Sequence, residues 1–463
     1  MIKKEVSEIV SSDKQPVSAS DRFEWGRSLR ELVPLESHTK IGRGANCDPI
    51  GLIAAQEKTR LSYLLPIRHQ RMGESVFAFY RGSAVVQAAD LASMPHSGIV
   101  VQLCGDGHLS NFGLYGSPER SLIFDINDFD ETLPGPFEWD VKRLAASFIL
   151  AGRDLGFKER DNKKAAMAAV AAYRETVTRF ASSRYIDAWY AKIDAAAMQE
   201  QLATAGKDSK SAKRSKKVLD EARTKDCLQA LRKLAIEVNG SYLIKSKPPH
   251  IIPLRELIND AHPDDLRHKF LELLDRYEES LPDDRLALIR RYRVVDFALK
   301  VVGVGSVGTR CYIALLEGRD KEDPLFLQIK EASQSVLEAH LPPSAYGQSG
   351  QRIVEGQRLM QAASDILLGW THETETERDY YVRQMWDMKG SADIGSFTPK
   401  ELQKYAVNCG WTLAHGHCRT GSASAIAGYL GENYKFDKAI REFAVAYADL
   451  ATSDHAAFRA VFE

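Results

Sequence analysis

The hydrophobic pattern begins late in the chain. Residues 1 to about 20 are polar with no apolar repeat and are expected to form a frayed, disordered tail. The first clear signal is GIVVQLCG at 98–105, an apolar run bounded by glycines, which predicts a buried strand ending at Asp106. RSLIFDI (120–126) predicts a second strand that runs into carboxylate-rich NDFDE. Pro134-Gly135-Pro136 then predicts a helix start. Val141, Leu144, Ala145, Phe148 and Ile149 follow at the i, i+3, i+4, i+7, i+8 spacing of one buried helical face. Helical texture continues to about residue 235. After Pro248-Pro249 the texture changes. HIIPL, RVVDFALKVVGVGSVG, TRCYIALLEG and DPLFLQIKEA are β-branched and punctuated by glycine, which predicts strands and hairpins. QRIVEGQRLMQAASD (351–365) predicts a helix, DYYVRQMWD (379–387) a strand, and 399–421 a helix stopped by Gly421.

At 463 residues the chain has room for two or three domains, or for one two-lobed enzyme. Lys plus Arg number 62 against 63 Asp plus Glu, so no global field attracts nucleic acid or an anionic membrane. A local basic cleft is compatible with that balance. The basic run KDSKSAKRSKK (207–217) reads as a solvated loop or helix face. The six cysteines form no CxxC pair and suit a reducing compartment. The N-terminus lacks the apolar region of a signal peptide, and no apolar run approaches the roughly 20 residues of a membrane span, so a cytoplasmic protein is expected.

Three constellations carry chemistry. Gly105-Asp106-Gly107-His108-Leu109-Ser110-Asn111 follows the first strand, and Asp with Asn five positions on is the spacing of a kinase catalytic loop. There Asp106 accepts the proton of an attacking hydroxyl and Asn111 helps to hold a metal ion. Asp125 lies fourteen residues beyond Asn111, at the distance where a second strand delivers a Mg²⁺-binding carboxylate, with Asp128 beside it as a further ligand. Four carboxylates in seven residues repel one another, which calls for a cation. An EF-hand reading fails because its fifth position is Phe129 and its sixth is Asp130 rather than Gly.

Gly303-Val304-Gly305-Ser306-Val307-Gly308 also matches dinucleotide-binding units, but those open a helix. Here β-branched TRCYIALL follows, which favours a glycine-rich hairpin over phosphates. Leu325 to Lys330 then forms a strand ending in a lysine, placed to pair nucleotide phosphates. Glu355, 25 residues further on, is the expected partner of Lys330, with Glu338 as the alternative; an i,i+3 pair of Glu355 with Arg358 is the plainer reading of that glutamate. His415 and His417 lack a third ligand and are expected to be packed or capping residues.

FAFYRGSA (77–84), CGDGHLSNFG (104–113), FDINDFDETLPGPFEWDVKRLAAS (124–147) and VVGVGSVGTRCYIALLEG (301–318) resemble an uncharacterised bacterial family, domain of unknown function 2252, from about residue 21 to the end. More distantly, GDGHLSN resembles the GDxHxxN loop of aminoglycoside and choline kinase-like enzymes, although Cys104 stands where those kinases usually have His. That resemblance implies Asp106 as base, Asn111 and Asp125 as metal ligands and Asp140 as a structural aspartate. It also implies an α+β, two-lobed, protein-kinase-like fold.

Because the glycine loop and Lys330 follow Asp106 instead of preceding it, the fold is expected to be circularly permuted. The expected division is a large lobe at 21–239, a small β-rich nucleotide-clamping lobe at 240–386 with a hinge at Met385 to Met388, and returning large-lobe helices at 387–463. Helix 399–421 is expected beside the strand before Asp106. The function implied is ATP- and Mg²⁺-dependent phosphoryl transfer to a hydroxyl of a small acceptor. Nucleotidyl transfer by a reversed ATP and a non-catalytic nucleotide sensor are the alternatives, with a dinucleotide-dependent oxidoreductase behind them. Arg68, Arg71 and Arg81 in 57–83, among aromatics, are candidates for the acceptor entrance or, equally, for packing. Neither the acceptor nor the oligomeric state is legible in these residues.

Overall fold

The computed structural model describes residues 18–44, 47–195, 210–224, 226–256, 263–301, 303–385 and 388–462. Most of the expected tail lies outside the described residues. A helix already begins at Ala19 (Ala19–Leu32), capped by Ser18. Four helices, Pro49–Glu57, Leu65–Gly73, Val76–Gly82 and Ala84–Ala92, form a layer ahead of the first strand.

Strands β1 (Val100–Leu103), β2 (Phe112–Gly116), β3 (Leu122–Ile126) and β4 (Leu133–Pro136) follow. β2 and β3 form an antiparallel hairpin, and β1 pairs antiparallel with β4. The helix expected to open at Pro134 is therefore corrected. Pro134 and Pro136 sit in β4, a strand with a single partner, where a missing N–H is tolerated. Helix α1 begins at Glu138 and ends at Asp154. It is buried nearly all round rather than on one face, because it runs through the centre of the helical half. Helix α2 (Glu159–Ala181) packs on it. Beyond α2 the expected helical run is interrupted by Ile193–Asp194, which adds to the edge of β3. Helices Lys210–Thr224 and Cys227–Leu234 complete it, so the described part of the basic run is helical.

The second half is a six-stranded antiparallel sheet of β5 (Ile251–Pro253), β6 (Arg293–Lys300), β7 (Cys311–Glu317), β8 (Pro324–Ala332), β9 (Gly369–Glu373) and β10 (Arg378–Gln384). Its order is β9-β10-β8-β7-β6-β5. Helix α3 (Ser349–Met360) lies between β8 and β9 in sequence. This half is less purely β than its sequence suggests. Helices Pro263–Glu278 and Asp283–Ile289 stand between β5 and β6. Phe270, Leu273, Leu274 and Tyr277 of the first pack with Phe297, Leu327 and Tyr380, covering a sheet face that would otherwise meet water. Two of the four residues of the expected hinge, 386 and 387, lie outside the described residues.

The chain then returns to the first half as α4 (Pro399–Thr420), α5 (Ala423–Leu430) and α6 (Lys435–Phe462). α4 starts with a capping box of Thr398 and Glu401 and stops at Gly421. It lies against α2 so closely that a Cβ on Gly410 would sit 2.0 Å from the Ala169 carbonyl oxygen. It also runs beside β1, where the Gln102 N–H donates to Thr420 Oγ1 (3.1 Å). The Tyr405 hydroxyl donates to the carbonyls of Leu109 (3.0 Å) and Phe112 (2.9 Å). One core thus joins Leu103, Phe148, Ala169, Leu413 and Phe443, from both ends of the chain.

Candidate active site

The loop between β1 and β2 is set by glycine and by a buried aspartate. Gly105 has φ +82°, and a Cβ there would fall 2.2 Å from the Glu131 carbonyl oxygen, so no other residue fits. Asp140, in the first turn of α1, accepts the N–H groups of Cys104 (2.8 Å) and Gly105 (3.0 Å). His417 of α4 donates from Nε2 to the same carboxylate (3.2 Å), and its Nδ1 accepts from the Tyr173 hydroxyl (2.8 Å). His415 bonds the Ala188 carbonyl at 3.0 Å. The two histidines therefore pack, and Asp140 braces the loop.

Asp106 leaves this loop toward Arg143, whose Nε and Nη2 lie 2.8 Å and 2.7 Å from Oδ1. Arg143 stacks 3.9 Å over the Tyr80 ring and donates to Gln87 and to the Tyr80 carbonyl. Burial pushes the Asp106 pKa up, against the pull of Arg143. Arg143 was not foreseen as a site residue. Its signal was its place three residues after Asp140, on the same helix face. The Asn111 side-chain amide donates from Nδ2 to the Asp106 carbonyl (2.8 Å), which leaves Oδ1 for a ligand.

Of the carboxylates after β3, the expected metal ligand Asp125 is engaged elsewhere. It accepts the N–H of Ile126 (2.8 Å) and of Ala362 (2.9 Å), and burial raises its pKa to about 6. Asp128 and Asp130 turn to the cleft instead. Burial pushes Asp128 up, but the cations of Lys330, Arg383 and Lys389 outweigh it and hold Asp128 below the usual carboxylate range. Asp130 carries the ion pair with Lys330 and accepts the Tyr381 hydroxyl at 3.0 Å. Glu355 does not meet Lys330. It pairs with Arg358 at 3.0 Å, one turn on. Glu338 instead caps the turn at Ser335 (3.0 Å). The lysine thus finds its carboxylate on the acidic segment after β3, because that segment passes directly beneath β8.

The glycine loop joins antiparallel β6 and β7 without opening a helix, as its sequence indicates. Gly303 and Gly308 have φ of +69° and +92°. Three arginines of the N-terminal layer hold it. Arg60 donates to the Val307 carbonyl (2.7 Å), Arg68 to Gly305 (2.7 Å) and to Gly82 (2.8 Å), and Arg71 to Gly303. Arg68 and Arg71 therefore anchor the loop, the packing role, and neither lines the cavity between the two halves. Gly308 has its carbonyl bonded to the Leu61 N–H (2.8 Å) and packs on the Arg60 side chain rather than facing the cavity.

A cavity of 370 Å³ lies between the two halves. Asp106, Asn111, Asp128 and Asp130 line one side, Gly303, Gly305 and Ser306 the other, and Arg60 and Arg81 enter from the N-terminal layer. Lys330 is buried and, like Asp125 and Glu355, lies outside its lining; it is linked to the cavity through its ion pair with Asp130. Among the described residues no three His, Cys, Asp or Glu side chains are arranged to hold a metal by themselves. Asn111 and Asp128 do offer two oxygen donors to one cavity. That set fits Mg²⁺, which takes one or two protein oxygens and completes its shell with phosphate and water.

Among the described residues no helix is long and apolar enough to cross a membrane. No curated protein and no solved structure matches the chain. The model of one family, described as an uncharacterized protein conserved in bacteria, matches residues 60–461, a start later than the residue 21 or so expected. With nearly all of its length matched, the chain belongs to that family, domain of unknown function 2252.

Proposed function

We propose that this chain is an ATP- and magnesium-dependent phosphotransferase acting on a hydroxyl of a small acceptor, built as a circularly permuted, two-lobed, protein-kinase-like fold. One observation carries the reading: Asp106, Asn111 and Asp128 share a cavity with a glycine loop some two hundred residues later. The order of parts supports it. The glycine loop lies between the first two long strands of the sheet, the lysine on the third, and helix α3 after it, as in kinases.

In this reading Asp106 accepts the proton of the acceptor hydroxyl, and Arg143 fixes the carboxylate. Asn111 and Asp128 would hold a magnesium ion, which would supply charge to neutralise the phosphates. Ser306 and the backbone around Gly303 and Gly305 face the phosphates, while Lys330 is paired with Asp130, which lines the cavity. Positioning and charge neutralisation supply most of the catalysis. The test is thermal unfolding with and without ATP and Mg²⁺, followed by product mass with candidate acceptors. ATP–Mg²⁺ raises the melting temperature of the wild type, and Asp106→Asn keeps that shift while losing turnover. No shift from ATP, with one from NAD, would return the protein to the oxidoreductase reading.

A second reading, nucleotidyl transfer, has one observation in its favour. Gln328 and Arg383, bonded to each other at 3.0 Å, occupy the cleft-facing side of the sheet beside Lys330. Nearby, repulsion from Arg383 together with burial lowers Lys389 to about 7. A cationic wall suits phosphates better than a purine, which favours a reversed ATP. A product heavier by AMP rather than by phosphate would select it.

A further inference from the structure

Most cations around the cavity are already engaged. Lys330 is held by Asp130, Arg143 by Asp106, Tyr80 and Gln87, and Arg60 donates to the Val307 carbonyl. Arg81 is different. It lines the cavity, its Nε is buried without a hydrogen bond as that of Arg60 is, but unlike Arg60 its guanidinium makes no hydrogen bond and no ion pair with any described residue. Its nearest ring partner, Phe77, lies 5.8 Å from the guanidinium carbon. Burying a cation this way is costly unless an anion completes it.

The position of Arg81 is also fixed. A Cβ on Gly305 would lie 3.1 Å from the Arg81 carbonyl oxygen, so the helix Val76–Gly82 touches the glycine loop. Arg68 bolts the two together through the Gly82 and Gly305 carbonyls. The charges that act on Arg81 are those of Asp106 and Asp128, the proposed base and the proposed metal ligand. Arg81 thus lines the same cavity as the proposed base and the proposed metal ligand.

We propose that Arg81 is a catalytic residue, an arginine supplied by the N-terminal layer of the same chain that binds the phosphoryl group in transfer. The inference rests on the phosphotransferase reading. In the step, the acceptor oxygen bonds to the terminal phosphorus and the bond from that phosphorus to the bridging oxygen breaks. ADP leaves with the electron pair, and the hydroxyl proton passes to Asp106. Arg81 donates to an equatorial oxygen of the group in flight, where charge is spread.

The experiment measures binding to the full chain of ADP–Mg²⁺ alone and of ADP–Mg²⁺ with fluoroaluminate, a planar mimic of that group. The wild type is expected to bind the fluoroaluminate complex at least about 100-fold more tightly than ADP–Mg²⁺, within the range by which transition-state analogues exceed ground-state ligands. Arg81→Ala is expected to keep ADP–Mg²⁺ affinity within about threefold, showing an intact fold, and to lose most of the extra tightening. Arg81→Lys regains part of it. Full tightening retained in Arg81→Ala overturns the role of Arg81 while leaving the phosphotransferase reading in place. A wild type that binds no ADP–Mg²⁺ overturns both.

Discussion

Replacing Asp140 by Ala isolates what holds the catalytic loop. The carboxylate is 1% exposed and serves three donors: the N–H groups of Cys104 and Gly105 and the Nε2 of His417. Removing it orphans all three. An unmade bond at a buried donor costs about 1–3 kcal/mol. Cys104 and His417 are fully buried, whereas Gly105 is half-buried and recovers some solvation. The expected loss is therefore about 3–6 kcal/mol for Asp140→Ala, and roughly half that for Asp140→Asn, which keeps one acceptor oxygen. Urea unfolding of the full chain measures it. The same variants lose turnover beyond the stability effect, because the loop also aims Asp106. ADP–Mg²⁺ binding measured below the unfolding transition separates the two losses. An Asp140→Ala protein within about 1 kcal/mol of wild type would refute the claim that this carboxylate braces the loop.

Lys330→Met leaves Asp130 and Asp128 without their shared cation and is expected to cost about 3 kcal/mol, the low end for a broken buried pair because the Asp130 side chain is 29% exposed. Adding Asp130→Asn should recover more than half; a strictly additive double variant would dissolve the pair. Burial raises the Glu131 pKa from 4.5 to about 7, so its stabilising contribution is full below pH 4.5 and fades as pH rises through 7. Glu131→Gln should flatten that part of the pH–stability curve in urea melts, and an unchanged slope counts against a raised Glu131 pKa. Glu355→Gln breaks only an i,i+3 pair with Arg358 and should change stability by less than about 0.5 kcal/mol without altering ATP affinity. A large loss of ATP affinity would restore Glu355 as the partner of Lys330.

What the sequence determined by itself was local. Asp106 and Asn111 are five residues apart on a loop whose glycine and flanking strand are visible in the letters. The glycine hairpin announced itself through the β-branched residues after Gly308, and α4 through its stop at Gly421. Those features depend on contacts a few residues long, where composition and period are enough. Tertiary structure decided the rest. β3 is buried on both faces, so no alternation showed that Asp125 turns away while Asp128 and Asp130 turn to the cleft. Lys330 found its carboxylate two hundred residues back, not 25 ahead, because the two halves close over one another. Arg81 was legible only as one of three arginines of an acceptor entrance or of packing, and it matters because Arg68 fastens its helix to the glycine loop. Residues remote in the chain meet where burial and charge are satisfied together, and that condition has no period in the sequence.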